Sequence, residues 1–138
     1  MKNIKFLPHT ADVKYEAYGK TLNEAFENAA IAVHQVITQD KVKAKIKKQI
    51  KLKSKNKRAL LYDFIEEIVI LMDTSGLLIS KAKVSIEGEE NNYKLEAELQ
   101  GDLYKNYECH GAVKSMTYSD MQIEELKGKV KITIVLDI

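Results

Sequence analysis

The chain has 138 residues, 45% of them hydrophobic, which is long and apolar enough for one domain with its own core. No apolar run approaches the roughly 18 to 20 residues of a transmembrane helix, and no apolar secretory leader follows the first lysines. Cys109 is the only cysteine in the chain, so no internal disulfide can form. We therefore expect a single cytoplasmic domain over 1–138, without membrane contact.

Charge is unevenly distributed along the chain, although the net charge is only +2. Residues 41–58, called the basic strip below, contain ten lysines and arginines and no acidic residue. The remaining residues are acidic overall, with 20 aspartates and glutamates against 12 basic side chains. This asymmetry indicates a local surface for an acidic partner more than a basic protein as a whole.

The first half of the chain predicts a strand, a helix and a second strand. Apolar and polar residues alternate over about 13–18, which is typical of a half-buried strand. Thr21 to Glu24 have the form of a capping box, and helical spacing of apolar residues continues over about 22–37. Alternation over 42–52 predicts a strand with one lysine face, and the break in the pattern at Lys48 suggests a bulge.

The second half predicts one more helix and mainly strands. Helical spacing covers about 58–73 and ends at Thr74 to Gly76. Later strands are predicted at 78–87, 93–99, 121–126 and 130–136, with a less regular segment near 108–118. The sequence therefore predicts an α+β fold, with two helices packed on a mixed, mostly antiparallel β-sheet of six to eight strands.

Two aspartates occupy unusual positions. Asp12 follows the only proline of the chain by four residues, and Asp137 ends an apolar strand just before Ile138. If their strands are neighbours, the two carboxylates and a terminal oxygen meet, and such oxygen ligands suit hard divalent cations. Each aspartate is also an ordinary turn or strand-end acid, so spacing alone leaves both interpretations open.

The histidines and the cysteine allow weaker hypotheses. His9 and Asp12 have the composition of a base and its orienting carboxylate, but we favour a loop histidine beside an aspartate turn over direct catalysis. Cys109 and His110 lack a second ligand pair at zinc spacing, so we expect a core or strand thiol there. His34 lies on the first predicted helix, where we expect a surface or partly buried position.

Lysines suggest contacts with phosphate or nucleic acid. Lys114, in a polar stretch, is suited to bind phosphate as a point charge, and it is equally typical of a solvated strand. In the basic strip, Lys43, Lys45 and Lys47 lie on one predicted strand face and could follow a phosphate backbone. The strip has no interleaved aromatic residue, so a solvated face that discourages edge pairing explains it as well.

Three separated blocks of sequence resemble the archease family over the whole chain. The first block is P-H-T-A-D-V at 8–13 with Y-G-K-T-L-N-E-A-F-E-N-A-A at 18–30. The second is L-L-Y-D-F-I-E-E-I-V-I-L-M-D at 60–73. The third is V-K-S-M-T-Y-S-D-M-Q-I at 113–123 with I-V-L-D-I at 134–138. Three blocks in this order are more specific than any one alone.

The resemblance implies an accessory protein and not an enzyme. Archeases are small α+β proteins that assist the RtcB-type tRNA-splicing ligase, which joins the RNA ends left by intron removal. The ligase must first be guanylylated on a histidine with GTP and divalent metal. By resemblance, this chain promotes that guanylylation, restores multiple turnover and broadens nucleotide use.

The resemblance also implies a metal site at Asp12, Asp137 and Ile138, the last through a main-chain or terminal oxygen. Calcium is the implied ion, with Mg²⁺ or Mn²⁺ as alternatives. His9 and Lys114 lie within the family blocks and are possible neighbours of the site. The third block departs from the family pattern at Ser115, Met116 and Ser119, which leaves the metal ligands unchanged.

Two other functions compete with this interpretation. The first is a chaperone-like binding module for tRNA or RNA-modifying enzymes that acts through the basic strip. The second is an independent metal-dependent hydrolase, for which three oxygen donors without an evident base or nucleophile provide little support.

Overall fold

The computed structural model describes residues 3–8 and 12–138. These residues form two helices, eight strands and a short 3-10 turn at Tyr104–Asn106. In chain order the elements are β1 (Ile4–Leu7), β2 (Val13–Gly19), α1 (Leu22–Gln35), β3 (Ile46–Ser54), α2 (Lys57–Ser75), β4 (Leu77–Glu89), β5 (Asn92–Leu103), β6 (Ser115–Met116), β7 (Gln122–Leu126) and β8 (Lys129–Asp137). The predicted α+β class is confirmed, and both helices lie within two residues of their predicted bounds.

The strands form two sheets, where the sequence had suggested one. The five-stranded sheet has the order β1-β2-β8-β6, and β7 pairs with a different part of β8 from the one that pairs with β6. The three-stranded sheet has the order β3-β5-β4. All pairings between these strands are antiparallel, as the mostly antiparallel prediction anticipated.

The helices lie against both sheets, and this position explains their composition. α1 contacts β2 and β8 of the larger sheet and β4 of the smaller one, while α2 contacts β6 and β7 as well as β3, β4 and β5. Phe26 of α1 stacks on Phe64 of α2 at a ring separation of 5.9 Å, and both rings are fully buried. No helix among the described residues is long and apolar enough to cross a membrane.

Helix α1 starts at the predicted capping box. The Thr21 side chain accepts a hydrogen bond from the Glu24 backbone N–H at 3.2 Å. The returning bond differs from the prediction, because the Glu24 carboxylate accepts from the N–H of Lys20 at 3.4 Å. Asn56 caps α2 in the same way, and Gly76 ends α2 in the left-handed conformation at φ 71°. Glycine adopts this conformation without steric cost.

Polar side chains attach α1 to both sheets. From the larger sheet, the buried Tyr15 hydroxyl donates to the Ala29 carbonyl at 2.8 Å. At the edge of the smaller sheet, the Glu27 carboxylate accepts from the Val84 N–H at 2.8 Å, and Asn23 accepts from Ile86 N–H at 3.0 Å. These bonds satisfy backbone donors that an edge strand otherwise exposes.

The strand predicted at 42–52 lies at Ile46–Ser54 instead, so that part of the prediction is wrong. Its register against β5 is continuous, without the bulge suggested at Lys48. The irregularity lies in β4, between Ile79 and Lys81, opposite Gly101. A Cβ at Gly101 would overlap the Leu78 carbonyl oxygen at 1.7 Å, so glycine permits the close strand approach at this bulge.

Candidate metal site

The two chain segments that contain Asp12 and Asp137 meet at one end of the five-stranded sheet. β2 and β8 are antiparallel neighbours, and their last registered pair is Val13 with Leu136. The next residue beyond that pair is Asp12 on one segment and Asp137 on the other. Side chains alternate between the faces of a strand, so Asp137 lies on the face opposite the buried Leu136, and Asp12 directly precedes β2 at the same end of the sheet.

The main chain of β8 is fixed at the same end. Ser115 of β6 is registered with Asp137, and the Lys114 N–H donates to the Asp137 carbonyl at 2.7 Å. Asp137 is therefore held between β2 and the segment that contains β6. Ile138 follows Asp137 directly and is 42% exposed, so it lies at the surface next to the end of β8.

These donors fit a hard divalent cation in chemical type. Asp12 and Asp137 supply carboxylate oxygens, and Ile138 supplies a main-chain oxygen, which are the ligands that Ca²⁺, Mg²⁺ and Mn²⁺ prefer. Within residues 3–8 and 12–138, no three His, Cys, Asp or Glu side chains are grouped closely enough to hold an ion. A cation at this strand end would therefore depend on two carboxylates, main-chain oxygen and water.

One ion pair lies beside the two aspartates. Two residues along β2 from Asp12, the Lys14 ammonium contacts the Asp120 carboxylate at 3.4 Å. Asp120 belongs to the loop between β6 and β7 and has a positive φ of 54°, which aspartate tolerates better than most residues. This pair adds one positive and one negative charge next to the candidate site, so it contributes no net charge there.

A second polar network continues along the same face of the sheet. The Lys131 ammonium contacts Glu16 at 3.1 Å and Glu124 at 3.3 Å, and the Tyr18 hydroxyl donates to Glu16 at 2.8 Å. Burial alone would raise the pKa of Glu16, but the hydrogen bonds from Tyr18 and Lys131 lower it. The hydrogen bonds to Glu16 and Glu124 raise the pKa of Lys131.

The other residues that the sequence singled out lie at several places in the chain. His9 lies outside the described residues, so its proximity to Asp12 remains a prediction. Lys114 is exposed and contacts the site through its backbone N–H. His110 is exposed and lies 3.7 Å from Glu108. Cys109 is half-buried and forms an isolated bridge with Thr38, consistent with the expected strand thiol.

The basic strip does not form the single strand face that the sequence suggested. Lys43 and Lys45 precede β3, in an irregular segment, and Lys47 lies within it. The Lys43 N–H donates to the Tyr107 hydroxyl at 2.9 Å, and the Lys45 N–H donates to the Gly101 carbonyl at 2.8 Å. All three lysine side chains are exposed.

Sequence reasoning missed the two charged networks on the larger sheet. Lys14 and Asp120 are 106 residues apart, so only the sheet order brings them together. The one available signal was alternation, because Lys14 and Glu16 occupy the polar positions of β2. Alternation identifies the face of a strand but not the partner on the neighbouring strand.

The amino-acid sequence is similar to those of known proteins. The model of the Archease protein family matches residues 5–138. A relative named Protein archease, from Sulfurisphaera tokodaii, is 39% identical over 141 residues, with 100% of both chains covered. Protein archease from Thermococcus kodakarensis is 39% identical over 129 residues, which cover 91% of each chain.

Solved structures show the same fold. The solution structure of Methanobacterium thermoautotrophicum protein 1598 has a TM-score of 0.83 and 32% sequence identity, with 100% of both chains covered. A crystal structure from Thermotoga maritima, described as an archease and possible chaperone, has a TM-score of 0.61. At 19% identity and coverages of 96% and 94%, this second likeness concerns the fold alone.

Proposed function

Because the chain belongs to the archease family, we propose that it activates an RtcB-type tRNA-splicing ligase through a divalent-metal site at Asp12, Asp137 and Ile138. Family membership supports a role for this chain as an accessory protein in tRNA processing, and not as a catalyst. The proposal goes further in three ways. The partner is the ligase, and the chain assists its guanylylation and its multiple turnover. The chain acts through the bound cation.

The observation that carries the proposal is the meeting of the two chain ends. Asp12 and Asp137 are 125 residues apart in sequence. Both lie directly beyond the last registered pair of β2 and β8, Val13 with Leu136, at the same end of the sheet. Carboxylates brought to one strand end disfavour each other's negative charge, and a bound cation would offset that repulsion. Calcium is our first choice, and the same oxygen donors also accept Mg²⁺ or Mn²⁺.

The residues around the site would perform separate tasks. Asp12 and Asp137 bind the cation, while the Lys114 N–H holds the Asp137 carbonyl and fixes the end of β8. The Lys14–Asp120 pair fixes the loop beside the site. When bound, the cation supplies positive charge that neutralises phosphate groups, on which nucleotidyl transfer depends. The exposed strand end would present this charge to the nucleotide site of the ligase.

A guanylylation assay with the cognate ligase tests the proposal. We expect the chain to accelerate ligase guanylylation and sustain repeated turnover, and we expect Asp12→Asn and Asp137→Asn each to abolish the stimulation. Glu90→Gln is the matched control, because it removes an exposed carboxylate from the turn of the other sheet. Full stimulation by both aspartate variants would overturn the proposal, as would metal-dependent hydrolysis by the purified chain alone.

A second candidate function is a chaperone-like module for tRNA or RNA-modifying enzymes. The exposure of Lys43, Lys45 and Lys47 favours it, since exposed lysines bind polyanions through charge with little sequence preference. The triple variant with glutamate at these three positions separates the candidates. We expect it to retain cation binding and ligase stimulation. Loss of stimulation with intact cation binding would favour the basic strip as the functional surface.

A further inference from the structure

A groove of about 1230 Å³ opens beside the candidate metal site, on the other side of β2. Its floor is the C-terminal half of α1, with Ile31 and His34. Phe6 and Val13 of the five-stranded sheet line one side. The other sides of the groove are lined by residues between Gln35 and Ala44 and by the β4 bulge. Concave surfaces with few convergent polar groups are the usual form of small-ligand sites.

The groove is positively charged. Lys41, Lys43 and Lys81 line it and are exposed, against a single acidic lining residue, Asp40, among those described. The Asp40 carboxylate accepts a hydrogen bond from the Glu108 N–H at 2.9 Å, which partly satisfies its charge. The lysines therefore dominate the electrostatics of the groove and favour a ligand with concentrated negative charge.

The lysine-bearing wall is fixed by hydrogen bonds that link it to Tyr107 and Asp102. The Tyr107 hydroxyl accepts from the Lys43 N–H and donates to the buried Asp102 carboxylate at 2.7 Å. The hydrogen bond from Tyr107, with others from Leu103 N–H and Asn106, lowers the pKa of Asp102. Asp102 is therefore ionised at neutral pH and holds Tyr107 in place. The wall is preorganised, which reduces the entropy cost of binding.

His34 adds a neutral acceptor to the floor. Its Nδ1 lies 2.7 Å from the Ile79 carbonyl, which can only accept, so Nδ1 carries the proton. Burial lowers the pKa of His34, so the ring is neutral at neutral pH. In that tautomer Nε2 carries no proton and can accept a hydrogen bond. His34 as a whole is 7% exposed, so it is more buried than the surface or partly buried position that the sequence predicted.

We propose that this groove binds a sugar phosphate, with the phosphate on Lys41, Lys43 and Lys81 and a sugar hydroxyl on His34. The three ammonium groups suit a compact dianion. The apolar side chains of Phe6, Val13 and Ile31 would cover the carbon face of the sugar. A free sugar phosphate, a mononucleotide and the ribose-phosphate chain of an RNA share this chemistry.

The groove is separate from the metal site even though the two are adjacent. Val13 lines the groove, whereas neither Asp12 nor Asp137 is among its described lining residues. Ligand binding in the groove needs neither a cation nor the ligase, so it can be measured on the chain alone in the presence of a chelator.

NMR titration of the ¹⁵N-labelled chain tests the proposal, with ribose 5-phosphate, a 5′-mononucleotide, a short single-stranded RNA and inorganic phosphate as probes. We expect amide shifts at Ile31, His34, Lys41 to Ala44 and Lys81. Lys41→Glu combined with Lys81→Glu should weaken binding by about tenfold or more, because hydrogen bonds to charged groups are lost. Lys83→Glu is the matched control, since it changes an exposed lysine of the same strand that does not line the groove.

The probes distinguish the sources of the ligand. Equal affinity for ribose 5-phosphate and RNA at these residues would identify a free sugar phosphate, and binding of RNA alone at the same residues would identify an RNA strand. Absence of shifts with every probe would overturn the proposal. So would equal loss of affinity in the Lys83→Glu control, or equally tight binding of inorganic phosphate.

Discussion

The outer faces of the two sheets carry their charges differently. On the five-stranded sheet, Lys131 is 29% exposed and is shared by Glu16 and Glu124, and Glu16 is 13% exposed. On the three-stranded sheet, Lys51 and Glu96 form a longer contact of 3.6 Å and are 79% and 67% exposed. Part-buried pairs hold a defined geometry, whereas exposed pairs are screened by water and salt.

This difference separates the functions that each surface supports. An ordered, part-buried face with two aspartates at its end can position a cation. The exposed lysines of the basic strip supply long-range attraction, which depends on ionic strength and needs no fixed geometry. We therefore propose that the five-stranded sheet positions the cation. The basic strip, on this proposal, attracts acidic partners without a fixed geometry.

The largest expected effect concerns cation binding at the end of the five-stranded sheet. Asp12→Asn and Asp137→Asn should each weaken Ca²⁺ binding by at least about 100-fold, since even outer-shell partners of metal ligands contribute 10- to 100-fold. Isothermal titration calorimetry gives the affinity. Glu124→Gln, on the same sheet face, is the control and should change affinity by less than about threefold. Unchanged affinity in both aspartate variants would contradict the assignment.

The next effect tests how α1 holds the smaller sheet. Glu27→Ala removes the acceptor for the Val84 N–H and should cost about 1 to 3 kcal/mol of unfolding free energy, because a part-buried donor loses its partner. Glu27→Gln keeps an oxygen acceptor and should recover most of that loss. Urea denaturation measures both variants. Equal stability of the alanine and glutamine variants would show that this hydrogen bond is unimportant.

The corresponding contact with the larger sheet should be weaker. Tyr15→Phe removes the hydroxyl that donates to the Ala29 carbonyl and should cost about 1 kcal/mol, the usual contribution of one neutral hydrogen bond. The ring remains in place, so the core should stay packed. A loss above about 3 kcal/mol, measured by the same denaturation, would mean that the hydroxyl has a role beyond this bond.

The smallest effect concerns the pH dependence of the Lys131 network. Lys131→Met should cost less than about 1 kcal/mol at neutral pH. Because the pKa of Glu16 is lowered in the folded state, its contribution is present above the unfolded value and is lost as pH falls through the folded value. The stability difference between wild type and variant should therefore shrink as the pH falls below the folded-state pKa of Glu16. A difference that persists in acid would indicate lost packing of the lysine stem.

Local sequence signals predicted the helices well and some strands poorly. The capping box at Thr21 and the apolar spacing in 60–72 define helices through residues that are neighbours in sequence. The bounds of both helices could therefore be predicted from the sequence. β1 has four residues and β6 has two, too short for alternation to distinguish them from loops. The division into two sheets depends on which strands pair, and alternation contains no information on pairing.

Sequence reasoning proposed a position for the candidate site but not its surroundings. It linked Asp12 and Asp137 on the condition that their strands are neighbours, and the family resemblance implied the same pair. The β2–β8 register meets that condition, while the cation itself remains a prediction. The Lys14–Asp120 pair required knowledge of where the β6–β7 loop lies. The groove is built from both sheets and α1, so no local pattern could reveal it.

A crystal structure with bound Mn²⁺, located by its anomalous signal, tests the central claim most directly. We predict one ion within about 2.0 to 2.6 Å of a carboxylate oxygen from both Asp12 and Asp137, and of a main-chain oxygen of Ile138. An ion bound by only one of the two aspartates would contradict the account. So would carboxylate oxygens separated by more than about 6 Å, which cannot share one cation at these distances.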